Sequence, residues 1–132
     1  MASPKEIRVI QLIDSLEPGG AERMAVSYAN ALYKKTGFGA LITTRAEGSL
    51  KDQLEEKVVY GFLNRKSTLD FKALWHLKKI VVSNKITHIQ AHSSSIFFSV
   101  LLKIITPKIH IVWHDHYGKS EILDQRPTLA LQ

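Results

Sequence analysis

Cysteine is absent from the 132-residue chain, which excludes a disulfide framework and a thiolate metal site and removes any demand for an oxidising compartment. Long hydrophobic runs are absent too. The most apolar stretch, Ile96 to Ile105, is about half of the ~20 residues a membrane-spanning helix needs, so it reads as a buried helix. The first residues are interrupted by Arg8 and Gln11 and lack the apolar core and small-residue cleavage site of a secretory signal. No G-x-x-x-x-G-K-[ST] occurs, which excludes a P-loop ATPase, and no G-x-G-x-x-G follows the first apolar run, which speaks against a nicotinamide-binding domain. Tandem repeats, linkers and low-complexity tracts are also missing. The expected compartment is the cytoplasm.

What is present fits one compact domain or a piece of a larger protein, since 45% of residues are hydrophobic and 23% charged. Lysine and arginine number 18 against 12 acidic residues, a formal charge of +6. That balance favours anionic partners such as nucleic acid, an acidic membrane face or a phosphorylated small molecule, or else is an ordinary lysine excess. The aromatics are not interleaved with a basic stripe, so nucleic acid is not expected.

Apolar patterning gives five strand-like segments. Ile7 to Ile13 is a run suited to a strand covered on both faces. From Ala21, the apolar positions Ala21, Met24, Ala25, Tyr28, Ala29 and Leu32 form a helical stripe, with Arg23, Ser27, Asn30 and Lys34 facing outward. Gly37 is a stop signal for that helix. Phe38 to Thr44 is the second strand, Ser49 caps a short helix running to Glu56, and Val58 to Leu63 is the third strand. Asp70 caps a helix that turns Phe71, Leu74, Trp75, Leu77 and Val81 inward and places Lys72, His76 and Lys79 on the opposite face. Ile86 to Ala91, an apolar helix over Ser93 to Ile105, and Ile109 to Trp113 follow. Alternating strands and helices predict an α/β fold with a doubly wound, mainly parallel Rossmann-like sheet, because parallel neighbours need crossover connections. Only "LDQRPTLALQ" follows, its apolar tail "TLAL" has no evident partner, and the chain reads as a truncated single domain of a longer protein.

In such sheets ligands sit beyond the carboxyl ends of the strands. Pro18, Gly19 and Gly20 lie there, before the first long helix. Either they make a tight turn, or they let the backbone approach a phosphate bound at the helix N-terminus. Four of the six histidines, His88, His92, His114 and His116, cluster at or near the last two strands. His92, His114 and His116 belong at the same rim as the glycine turn, whereas His88 reads as a strand-face residue; His76 and His110 have no special placement. His114 and His116, with His92 or Asp115, have spacing that a metal could use, but Asp115 is the sole local carboxylate and no metal is expected.

The segments "IRVIQLIDSLEPGGAERMAVSYANAL", "HIQAHSS" and "IVWHDHYG" together resemble the N-terminal half of family 4 glycosyltransferases, two-domain enzymes of the GT-B type. The likeness runs from about Ile7 to Tyr117, and G-G-A-E-R is its most specific part. It implies an acceptor-binding domain of a retaining glycosyltransferase that moves a sugar from a nucleotide-sugar donor to a polysaccharide or glycolipid acceptor, without a cofactor or metal. Gly19 and Gly20 would approach the donor phosphates, Glu22 and Arg23 complete the motif, and Arg23 faces the cleft or solvent. His114 would be the catalytic histidine that contacts the transferred sugar, with His116 as the alternative; His92, Asp115, His116 and Tyr117 would line the acceptor side.

The resemblance also implies a donor-binding C-terminal domain that this sequence lacks, so the chain alone is expected to transfer no sugar unless another chain supplies that half. The family's spaced glutamate pair belongs to the missing domain; its literal match here, Glu47 and Glu55, is read as coincidence. Lys34, Lys35, Lys72, Lys78 and Lys79 either bring the protein to anionic lipid at the inner membrane face or form a solvated surface. The competing expectation is a non-catalytic Rossmann-like module that binds a nucleotide or a partner protein.

Overall fold

The computed structural model describes residues 6–114 and the backbone of Ala130–Leu131. Strand β1 (Val9–Ile13) leads into helix α1 (Gly20–Thr36), followed by β2 (Ala40–Thr43), a 3-10 turn (Ser49–Gln53) and β3 (Val59–Phe62). Helix α2 (Phe71–Ser83), β4 (His88–His92), a second 3-10 turn (Ser93–Ser95), α3 (Ile96–Ile105) and β5 (His110–His114) complete the alternation. The sheet order is β3-β2-β1-β4-β5, with all four pairings parallel. A two-residue strand β6 (Ala130–Leu131) adds antiparallel to the β5 edge, pairing Ile111 with Leu131 and Val112 with Ala130. Ala130 and Leu131, from the apolar tail that lacked a partner in the sequence, thus form an edge strand.

The central strands β1 and β2 are buried on both faces, as a parallel sheet favours, whereas β5 exposes His110 and Val112 on one side. On one face Ile10, Leu12, Ala40, Ile42, Ile89 and Ile111 pack with Leu74, Leu77, Phe98 and Leu102 of α2 and α3. On the other, Ile13 and Leu41 pack with Ala25, Val26 and Ala29 of α1 and with Leu50 of the first 3-10 turn. Helices on both sides make the fold doubly wound and Rossmann-like. The chain grows outward through β2 and β3 and then returns to place β4 on the other side of β1. The strand order therefore reverses between β1 and β4, and the crevice at their carboxyl ends is where such sheets hold ligands.

Local chemistry explains the helix ends. Asp70 caps α2 as expected: its carboxylate accepts from the backbone N–H of Ala73 at 3.1 Å and of Lys66 at 2.8 Å. These bonds hold its carboxyl below the usual carboxylate range. Gly37 ends α1 in the left-handed conformation, φ 87°, and its N–H returns to the carbonyl of Tyr33, a role that glycine fills without a Cβ penalty.

Several expectations fail in instructive ways. Ser49 is not a cap; Gly48 holds that position, in extended backbone without a side-chain bond. Gly48 is required by proximity, because an added Cβ would strike the backbone of Leu16 and Glu17. The buried stripe of α1 is Ala25, Val26 and Ala29, and Met24 is exposed, since the side of the helix that meets the sheet is the one bearing those three residues. Asn30, though only partly covered, donates to the Gln53 carbonyl and accepts from the Glu55 N–H, which ties α1 to the 3-10 turn.

On α2 the inward residues are Ala73, Leu74, Leu77 and Val81. Phe71 and Trp75 were expected inward but are 65% and 59% exposed, because packing against the sheet selects the side of α2 that bears Ala73, Leu74, Leu77 and Val81. Helix α3 is not buried all round: Phe97 and Ile104 are 67% and 70% exposed, since only the side bearing Ile96, Phe98, Ser99 and Leu102 meets the sheet.

Candidate functional site at the carboxyl rim of the sheet

The alternation of β4 and β5 puts His88, Gln90 and His92 beside His110, Val112 and His114, register partners on the α1 side of the sheet. Tyr28 of α1 lies over the ends of these strands, its ring 6.1 Å from that of His92 and 5.5 Å from that of His114; the two imidazoles are 5.4 Å apart. His92 and His114 are the final residues of β4 and β5, so both sit at the carboxyl rim beside the strand-order reversal.

Two amides orient these rings. Gln11 of β1 places Oε1 2.7 Å from Nε2 of His92; the carbonyl oxygen accepts, so that nitrogen carries the proton. Gln90 places Nε2 3.3 Å from Nδ1 of His114; the amide donates, which leaves the proton of a neutral His114 on its Nε2. Gln11 and His92 are fully buried, and Gln11 Nε2 finds no acceptor among the described residues. A donor enclosed in this way costs about 1–3 kcal/mol, a penalty that concentrates at functional sites.

The β4-to-α3 junction is strained at the same place. Ser93, directly after His92, has φ 55°, a left-handed conformation uncommon for residues other than glycine. The Trp113 indole N–H donates to the Ser93 carbonyl, and Ser95 Oγ donates to the carbonyls of Leu12 and His92. The turn is thereby held to β1 and β5 rather than left to relax.

The glycine turn is informative by what it does not need. Gly19 is extended, and Gly37 is the one glycine with positive φ among the described residues. A Cβ on Gly20 would meet nothing within 4 Å, and one on Gly19 would meet the movable carboxylate of Glu22. Backbone conformation and packing thus leave both positions open to side chains. The N-terminus of α1 has no side-chain cap, so its first-turn amides and positive dipole end are directed out of the rim. Arg23 is exposed on this turn.

Of the residues expected at the site, the structure brings His92 and His114 together and puts Gly19, Gly20 and Arg23 on the same sheet edge. Asp115, His116 and Tyr117 lie outside the described residues, as does any metal arrangement that uses them. No group of three or more His, Asp or Glu able to hold a metal exists among the described residues. Glu47 and Glu55 have structural partners: Glu47 accepts from the Tyr60 hydroxyl at 2.7 Å and pairs with Lys51, while Glu55 pairs with Lys34. Burial, countered by the bond to Thr43 and reinforced by Glu47, pushes the Tyr60 hydroxyl up to about 12.

Sequence reasoning missed Asp14, Gln11, Tyr28, Gln90 and a pair of rings at the opposite edge. His88 and His110 stack 4.8 Å apart, and burial, then the charge of His110, lowers the His88 pKa. Strand alternation would have found Gln11 and Gln90, as polar residues every second position in otherwise apolar strands. Asp14 directly follows β1; one carboxylate oxygen accepts from Thr44 Oγ1 at 2.5 Å and lies 3.5 Å from Nη2 of Arg65, and the other accepts from Ser94.

Together these features define a Rossmann-like α/β domain with a polar site at its topological reversal. No protein-family model matches the chain, and no curated protein matches it.

Proposed function

We propose that this chain is the acceptor-side domain of a glycosyltransferase that transfers a sugar from a nucleotide-sugar donor to a polysaccharide or glycolipid acceptor. The observation that carries the proposal is the convergence of His92, His114 and Tyr28 at the carboxyl rim, beside the uncapped N-terminus of α1. The imidazole of His114 and the tyrosine face suit the hydroxyls and apolar face of a sugar ring, and helix N-terminal amides suit phosphate. His114, its proton held on Nε2 by Gln90, donates to a hydroxyl of the transferred sugar. Gly19 and Gly20 admit the donor diphosphate to the α1 amides. The anomeric carbon–oxygen bond to the diphosphate breaks as the acceptor oxygen bonds to that carbon from the same face, and the acceptor proton passes to the departing phosphate. Stabilisation of the charge on that phosphate lowers the barrier.

Contact with an anionic membrane is part of the same proposal. Residues 71–114 carry Lys72, Lys78, Lys79, Lys85, Lys103 and Lys108 and no aspartate or glutamate, so the α2–α3 layer is uniformly basic. Phe71, Trp75, Phe97 and Ile104 stand exposed on that layer, and Lys78 Nζ lies 4.9 Å from the Trp75 ring centre. Aromatic side chains beside lysines suit the headgroup region. The five lysines first grouped together do not form one surface. Lys34 and Lys35 end α1 on the other side of the sheet, and Lys34 pairs with Glu55. No helix among the described residues is long and apolar enough to cross a membrane.

Titration of the chain with a panel of oligosaccharides, followed by the side-chain NMR signals of His92, His114 and Tyr28, tests the proposal. Saturable shifts at these three residues that His114→Ala removes are expected. Binding of nucleotide alone, with no glycan shifting the rim signals, would replace the proposal with a non-catalytic nucleotide module. Vesicles containing phosphatidylserine should retain the protein at low salt and release it as salt rises; no binding at low salt ends the membrane part.

A further inference from the structure

We infer a second binding site, for a phosphate group, on the opposite side of the rim from the histidines. A cavity of about 140 Å³ opens there, between the ends of four strands. Asp14 follows β1, Arg45 follows β2, Arg65 follows β3 and Ser94 follows β4, and these four line the cavity with Thr68. Phe98 of α3, packed in the core on the α2–α3 side, lies beneath the Arg65 guanidinium at 5.3 Å from the ring centre.

The charges favour an anion. Among the described residues Asp14 is the sole acid of the lining, and it faces two arginines. Its oxygens are occupied by Thr44, Ser94 and Arg65, so it orients the Arg65 fork and leaves the lining with a net positive charge. The Arg65 side chain is nine-tenths buried, at 10% exposed. Its Nη1 donates to the Ser67 carbonyl, while its buried Nε has no acceptor among the described residues. Arg45 is exposed and makes no side-chain hydrogen bond or ion pair among the described residues. Two guanidinium groups and the Thr68 hydroxyl form a set that a phosphate oxyanion satisfies and a neutral sugar does not. The cavity is too small for a nucleotide and holds one such group of a larger molecule.

Assignment of that phosphate to the acceptor rests on the proposed function; the site itself does not. On that reading the acceptor is phosphorylated, as a sugar phosphate or a glycerophosphate headgroup, with its hydroxyl directed over the rim toward His114.

Isothermal titration of the full chain with inorganic phosphate, glucose 1-phosphate and glycerol 3-phosphate tests the site and distinguishes the two sources. Saturable phosphate binding is expected, with affinity falling tenfold or more in Arg45→Gln, whose exposed position leaves the fold intact, and in Arg65→Lys, which keeps the charge but loses the fork. Tighter binding of one ester than of the free ion identifies the source. Absent saturable binding of all three, or binding that both variants leave unchanged, overturns the site. If phosphate binds and no glycan shifts the rim signals, the site stands and the glycosyltransferase proposal fails.

Discussion

Gln11 and His92 meet 2.7 Å apart at the junction of β1 and β4, where the strand order reverses. Both are fully enclosed, so the bond fixes the histidine ring without help from solvent. Gln11→Ala leaves a buried imidazole N–H without its acceptor and is expected to destabilise the fold by at least about 1 kcal/mol, measured by urea denaturation. The His92 ring signals should broaden or shift in the same variant. Unchanged stability and unchanged ring signals would show that the bond does not hold the ring.

Glycine positions near the rim separate by what surrounds them. Gly48→Ala drives a methyl group into the backbone of Leu16 and Glu17 and should cost about 1–3 kcal/mol. Gly20→Ala meets open space and should leave stability within about 0.5 kcal/mol, so any loss of diphosphate binding in that variant reports on the ligand. Thermal melts of the two variants side by side check the contrast.

The His88–His110 stack makes the fold sensitive to acid. Burial and the charge of His110 hold the His88 pKa below the ordinary histidine value of 6.5. The unfolded chain therefore binds more protons there, and stability rises with pH across the window between the folded and unfolded values. The contribution is complete above pH 6.5 and is lost as pH falls through the folded value. In His88→Gln this part of the pH dependence should disappear, as read from denaturation midpoints at a series of pH values.

Asp70 gives a second acid response with a separate origin. Backbone N–H groups of Lys66 and Ala73 favour its charged form, so its stabilisation is present above the ordinary carboxylate range and is lost as pH falls through its lowered value. Asp70→Ala should lower the melting temperature at neutral pH, and Asp70→Asn, which keeps one capping oxygen, should recover part of it. Equal melting temperatures for the two variants would remove the cap from the account of α2.

Much of the fold was legible because short-range physics writes it directly. The αL stop at Gly37 and the cap at Asp70 each depend on a few adjacent backbone groups. The apolar runs of the strands follow from burial on both faces of a parallel sheet. Helix phase was less legible: Trp75 and Phe97 are apolar, yet which side of α2 or α3 meets the sheet depends on packing against other elements. The rim was half legible. His92 and His114 stand at strand ends that the sequence marks, whereas Gln11 and Tyr28 come to them from β1 and α1.

Sequence alone determined the α/β alternation, the helix stops and the strands whose carboxyl ends carry histidine. Those features arise from neighbours along the chain. Tertiary structure alone decided the strand order, and with it the meeting of Asp14, Arg45, Arg65 and Ser94 around one cavity and of His92 with Gln11. These residues are separated by up to eighty-one positions, and only crossover connections, placing β4 beside β1, bring their side chains within bonding distance.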